Sequence, residues 1–120
     1  MKNQNRGILH LTKALSYSIT GFKWIVKNES AFRQDLCFCV FCIFVSLLAN
    51  NWEFKSVIFV IFAAFILLIV EALNSAIEST VDLITEEFNP KAKVAKDLGS
   101  LAVFFAIIIL SFITICAVVF

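Results

Sequence analysis

Three long runs without charge set the pattern of this chain. Positions 36–52, 56–70 and 98–120 contain no Asp, Glu, Lys or Arg, and each approaches the roughly 17 to 25 residues that a helix needs to cross a bilayer. Hydrocarbon offers backbone amides no partner, so such runs form helices, whose hydrogen bonds close within the segment. The first two runs are short and extend into their flanks. The predicted spans are about 31–50, 55–85 including a cytoplasmic extension, and 91–119. Ahead of them, Ile8, Leu11, Leu15, Ile19, Phe22 and Val26 recur at steps of three and four, one stripe of a helix over about 7–28. Lys13, Ser16, Thr20 and Lys27 fall on another side. That arrangement fits a helix lying in the membrane interface, with its basic flank near lipid phosphates; packing on the other three helices would use the same stripe. Asn89-Pro90 predicts a turn, with Asn89 capping the last helix and Pro90 in its first position. The fold expected is therefore an all-α integral membrane protein, with three transmembrane helices plus an N-terminal amphipathic interfacial helix. No repeat or low-complexity tract divides residues 1–120, so a single domain is expected.

Composition agrees. The 120 residues are 61% hydrophobic, more than a water-soluble domain of this size can bury. Ten basic residues against nine acidic leave a net charge of +1, so no overall basic field argues for nucleic acid as partner. Charge matters here by position. Lys2, Arg6, Lys13, Lys23, Lys27 and Arg33 precede the first span, Lys91, Lys93 and Lys96 follow the second, and Lys55 is the one base in the remaining loop. The positive-inside rule then puts the N-terminus and the second loop in the cytoplasm. A cleavable signal peptide is not expected, because lysines interrupt the first apolar stretch and no small-residue cleavage site follows it. Cys37, Cys39, Cys42 and Cys116 all lie in apolar runs with no His or carboxylate at metal-ligand spacing, and are expected as small apolar filling.

One stretch resists that bland reading. From Glu71 onward the second span carries Glu71, Asn74, Glu78 and Asp82, which at about 100° per residue share one side of the helix. A carboxylate within a membrane costs roughly 2.5 to 3.5 kcal/mol on insertion scales and marks function by default. Emergence of the helix into water would explain Asp82 equally well, but explains Glu71 and Asn74 poorly, since they follow directly on the apolar run. Carboxylates at a membrane boundary can hold a hard divalent cation or take a proton from a hydroxyl. Glu29, Arg33 and Gln34 before the first span, and Lys96-Asp97 before the third, are expected at the same level. A lysine there can offset developing phosphate charge, snorkel to the interface or form a structural ion pair. Neither glycine-rich nucleotide loop of soluble kinases is present, and Gly7, Gly21 and Gly99 are the only glycines.

Three stretches together carry a resemblance. Glu29-Ser-Ala-Phe-Arg-Gln-Asp35, Glu71-Ala-Leu-Asn-Ser-Ala-Ile-Glu-Ser-Thr-Val-Asp82 and Ala95-Lys-Asp-Leu-Gly-Ser100 closely resemble the prokaryotic diacylglycerol kinase family, over about Gly7 to the end. The resemblance implies a homotrimeric enzyme of the bacterial inner membrane, with active sites shared between subunits, that moves the γ-phosphate of MgATP onto diacylglycerol. It implies that Glu71 is the general base with Asn74 beside it, that Glu71 also meets the lipid, and that Glu29 and Glu78 hold Mg²⁺ with the nucleotide. Tyr17, Glu87, Lys96 and Asp97 resemble nucleotide contacts, and Ser18, Ala31, Arg33, Gln34 and Ser100 resemble positions lining the lipid site. Where the family pattern has an Arg, this chain has His10, which offers phosphate no guanidinium fork; the resemblance implies a nucleotide contact at His10. The loop Glu86 to Lys91 also departs from the family pattern.

Two other readings remain open at this stage. Undecaprenol kinases share the scaffold and the hydroxyl chemistry, although the Phe-Arg-Gln and Gly-Ser stretches look more like the diacylglycerol branch. A small proton-coupled transporter would also place a carboxylate in a span, but deeper and with fewer polar neighbours. A purely structural membrane subunit would have no use for the aligned polar side.

Overall fold

The structure is a computed structural model that describes residues 2–120, with side chains from Arg6 onward, so the Lys2 side chain used in the orientation argument lies outside it. Four α-helices follow one another: α1 (Lys2–Asn28), α2 (Ser30–Ala49), α3 (Phe54–Ile84) and α4 (Pro90–Val119), with no strand among the described residues. α2, α3 and α4 are each long and apolar enough to cross a membrane. The chain is an all-helical, multi-pass membrane protein.

It forms two compact units, one ending at Ser30 and one running Ala31–Phe120. In the first, α1 presents Ile8, Leu11 and Leu15 at 62 to 70% exposure along its apolar stripe. The hydroxyls of Thr12, Ser18 and Thr20 donate to the carbonyls of Leu9, Ala14 and Ser16 within the same helix, each at 3.0 Å. Helical hydroxyls satisfied this way add no polar demand where the helix meets an apolar phase. Glu29 stands just outside the helix, its N–H still donating to the Ile25 carbonyl at 2.9 Å.

In the second unit the core packs two leucines among small side chains. Cys39 and Cys42 of α2, Val60, Ala63, Ala64 and Leu67 of α3, and Ala106 and Leu110 of α4 form one buried cluster. Small residues let helix backbones approach, which in lipid replaces the hydrophobic drive for association; the Cys39 thiol donates to the Ala64 carbonyl across that interface at 3.6 Å. Many of the phenylalanines turn outward instead, with Phe59, Phe62, Phe65 and Phe112 at 61 to 69% exposure. The expectation that all four cysteines are core filling needs correction. All are free thiols, but Cys37 is exposed and Cys116 only partly buried, because Cys37 precedes Cys39 by two residues and so points away from the face that Cys39 and Cys42 share.

Two connections close the unit. At the α2–α3 end, Asn50 Nδ2 donates to the carbonyls of Ser46 and Ala117, each at 2.8 Å, tying α2 to α4. At the other end Asn89 caps α4, its side-chain oxygen accepting from the N–H groups of Lys91 at 2.9 Å and Ala92 at 3.3 Å, with Pro90 in the first turn, as the sequence predicts.

Candidate functional site

The length of α3 positions the polar residues. Its 31 residues make a rod of roughly 46 Å against a hydrocarbon core of roughly 30 Å, so about ten residues project beyond one face. Counted from Phe54, the boundary falls near Glu71 and Asn74, and Glu78 and Asp82 lie past it. Burial follows the same order: Glu71 is 3% exposed and Asn74 8%, Glu78 is half-buried and Asp82 exposed. One helix face therefore runs from a closed interior into the open.

Asn74 joins this face to α4. Its Nδ2 donates to Glu78 Oε1 at 3.3 Å. A carboxylate can only accept, so the amide must turn its nitrogen to Glu78, and its Oδ1 then points the other way, buried and without a hydrogen-bond partner. That oxygen lies against Gly99 of α4: a Cβ on Gly99 would collide with it and sit 3.3 Å from Asn74 Cγ. A side chain larger than glycine at position 99 would require the Asn74 amide to shift. The stripe on α3 does not reveal Gly99; the available signal was a lone glycine within an apolar helix.

Two lysine–carboxylate pairs stand beyond Asn74. Lys96 Nζ is 2.5 Å from Asp82 Oδ1, joining α4 to α3, and Lys93 Nζ is 2.5 Å from Asp97 Oδ2 one turn along α4. Glu78 also acts electrostatically on Lys96. Asp82, which the sequence leaves between a solvated position and a helper, thus has a defined partner, and Lys96 is paired instead of snorkelling. Both pairs border an open cleft of about 360 Å³ whose lining also includes Thr85, Glu86, Glu87, Phe88 and Asn89. Exposed pairs of this kind add little to stability, so their importance lies in where they hold charge.

The remaining candidates are placed as follows. Ser100 is exposed on α4, and Ala31, Arg33 and Gln34 are exposed in the first turns of α2. His10, Tyr17 and Ser18 are exposed on α1, and half-buried Glu29 follows its last turn; these four belong to the first unit. Glu71, Asn74, Glu78 and Asp82 share α3, while Glu87, Lys96 and Asp97 share the cleft. Among the described residues, no group of three or more His, Cys, Asp or Glu side chains is gathered to hold a metal.

A three-span helical bundle with a buried polar face opening into a charged cleft defines a membrane-embedded protein with a polar site at one end of its spans. The sequence profile described as prokaryotic diacylglycerol kinase matches residues 16–119. This chain belongs to that family. It is 38% identical over 108 residues to the diacylglycerol kinase of Helicobacter pylori strain J99, covering 90% of this chain and 84% of the relative. Similarity to the diacylglycerol kinase of Haemophilus influenzae Rd is 38% over 108 residues, covering 89% and 90%. For the Escherichia coli K12 diacylglycerol kinase it is 36% over 109 residues, covering 91% and 88%. The chain is accordingly a membrane member of a kinase family.

Proposed function

We propose that this protein transfers the γ-phosphate of ATP to the free hydroxyl of diacylglycerol, forming phosphatidic acid at the cytoplasmic face of the bacterial inner membrane, with its N-terminus in the cytoplasm. The observation that carries the proposal is the graded face of α3, closed at Glu71 and open at Asp82. Such a face accepts a lipid hydroxyl at one end and a water-borne nucleotide at the other.

Glu71 takes the proton of the lipid hydroxyl on a carboxylate oxygen as the lipid oxygen bonds to the γ-phosphorus and the bond to the β-phosphate oxygen breaks, releasing ADP. Phosphoryl transfer asks a protein mainly for position and charge. Asn74 orients Glu78 through its amide hydrogen bond, and Lys96 sets a positive charge beside the phosphates. Tyr17, Glu87, Asp97 and His10 contact the nucleotide, while Ser18, Ala31, Arg33, Gln34 and Ser100 line the lipid site. Glu78 and Glu29 would hold Mg²⁺: each offers hard carboxylate oxygens, and this ion takes one or two carboxylates and completes its shell from phosphates and water. When bound it offsets charge on the transferred phosphate. Residues 1–120 act as one kinase domain, and three copies assemble with shared sites.

The test is transfer of labelled phosphate from ATP in mixed micelles, with diacylglycerol or undecaprenol as acceptor. Wild-type protein is expected to label diacylglycerol in preference, and Glu71→Gln to lose at least about 100-fold in kcat, the scale of a lost general base, with helix content unchanged by circular dichroism. Equal turnover in that variant overturns the role of Glu71, and preferential labelling of undecaprenol overturns the substrate.

A further inference from the structure

The mechanism above uses Lys96 and leaves Asp82 without work, although the two are in contact at 2.5 Å with side chains 40% and 60% exposed. The charged residues around their cleft are Asp82, Glu86, Glu87, Lys93, Lys96 and Asp97, four acidic against two basic. Lys93 is already paired with Asp97, and Glu78 acts on Lys96 from the same side of α3 as Asp82. A polyphosphate entering the cleft therefore meets lysines already neutralised and carboxylates in excess. The Asp82 pair is exposed and so weakly held, and a lysine is a compact charge on a flexible stem that can change acceptor without backbone movement.

We infer that Asp82 is a positioning residue acting through Lys96: it holds the ammonium at the lip of the cleft before nucleotide binds, gives it up to the nucleotide phosphate, and receives it again as ADP leaves. This rests on the proposed role of Lys96 as a nucleotide contact. The exchange weakens ATP and ADP alike, because each must displace the same carboxylate. Asp82→Asn keeps the shape of the side chain and removes the competitor.

The experiment measures KM for ATP, the inhibition constant for ADP and kcat in mixed micelles containing diacylglycerol and Mg²⁺. Asp82→Asn, and Asp82→Ser in parallel, are expected to lower both nucleotide constants together by about two- to fivefold, the range an exposed pair can account for, without raising kcat. Asp82→Glu, which keeps the charge, is expected to return both constants to the wild-type values. In a Lys96→Met background Asp82→Asn is expected to produce no further fall. Unchanged or raised nucleotide constants in Asp82→Asn overturn the inference, as does an equal fall in the Lys96→Met background, which would mean plain repulsion by Asp82. If Lys96→Met by itself leaves both nucleotide constants at the wild-type values, the underlying assignment of Lys96 fails instead, and the inference with it.

Discussion

Gly99→Ala adds one methyl group where the structure has no room for it. The new Cβ would collide with Asn74 Oδ1 and lie 3.3 Å from Cγ, so the amide or the helix must move aside. Overpacking of this kind costs about 1 to 3 kcal/mol, while replacing glycine inside a helix returns about 1 kcal/mol, leaving a net loss of stability of about 0 to 2 kcal/mol. The functional consequence is larger, because the displaced amide can no longer hold Glu78, and a hydrogen bond to a charged group contributes about 1.5 to 3 kcal/mol. If that positioning is felt in the transition state, kcat/KM falls by about 10- to 100-fold. The assay is phosphate transfer at several Mg²⁺ concentrations, paired with thermal unfolding in the same detergent. Asn74→Ala placed in the Gly99→Ala background removes the collision, and is expected to restore the unfolding temperature without restoring turnover. Wild-type activity and an unchanged unfolding temperature in Gly99→Ala would refute the reasoning, since both follow from the same contact.

Other perturbations separate the site from the scaffold. Glu78→Gln is expected to raise the Mg²⁺ concentration for half-maximal rate at least several-fold, checked by Mg²⁺ titration at fixed ATP; an unchanged requirement argues against Glu78 as a metal holder. Asn50→Ala removes a hydrogen bond to Ser46 at the end of α2 and the one to Ala117 that ties it to α4, and is expected to lower stability by about 1 to 3 kcal/mol in an unfolding titration, with turnover per folded molecule preserved. Asn89→Ala takes the cap from α4 and is expected to cost about 1 kcal/mol, read by the same titration, whereas Asn89→Ser should recover most of it.

Much of this architecture is present in local pattern. A charge-free run of adequate length has one outcome in lipid, so α2, α3 and α4 follow from hydropathy and length, and Asn89-Pro90 marks the start of α4 because capping and a fixed φ act within a few residues. The alignment of Glu71, Asn74, Glu78 and Asp82 is likewise a property of one helix, as is the projection of α3 beyond a bilayer. Contacts between helices are of another kind. Nothing in the spacing shows that Gly99 receives the Asn74 amide or that Asp82 pairs with Lys96 fourteen residues away. Those outcomes depend on how far α4 slides and rotates against α3, which small residues such as Ala63, Ala64 and Ala106 decide by allowing close approach. The sequence by itself determined which segments are helices and which polar side chains share a face of α3. Tertiary packing decided which of those side chains are buried and which meet a partner on α4, because a helix's period is local and its register against a neighbour is not.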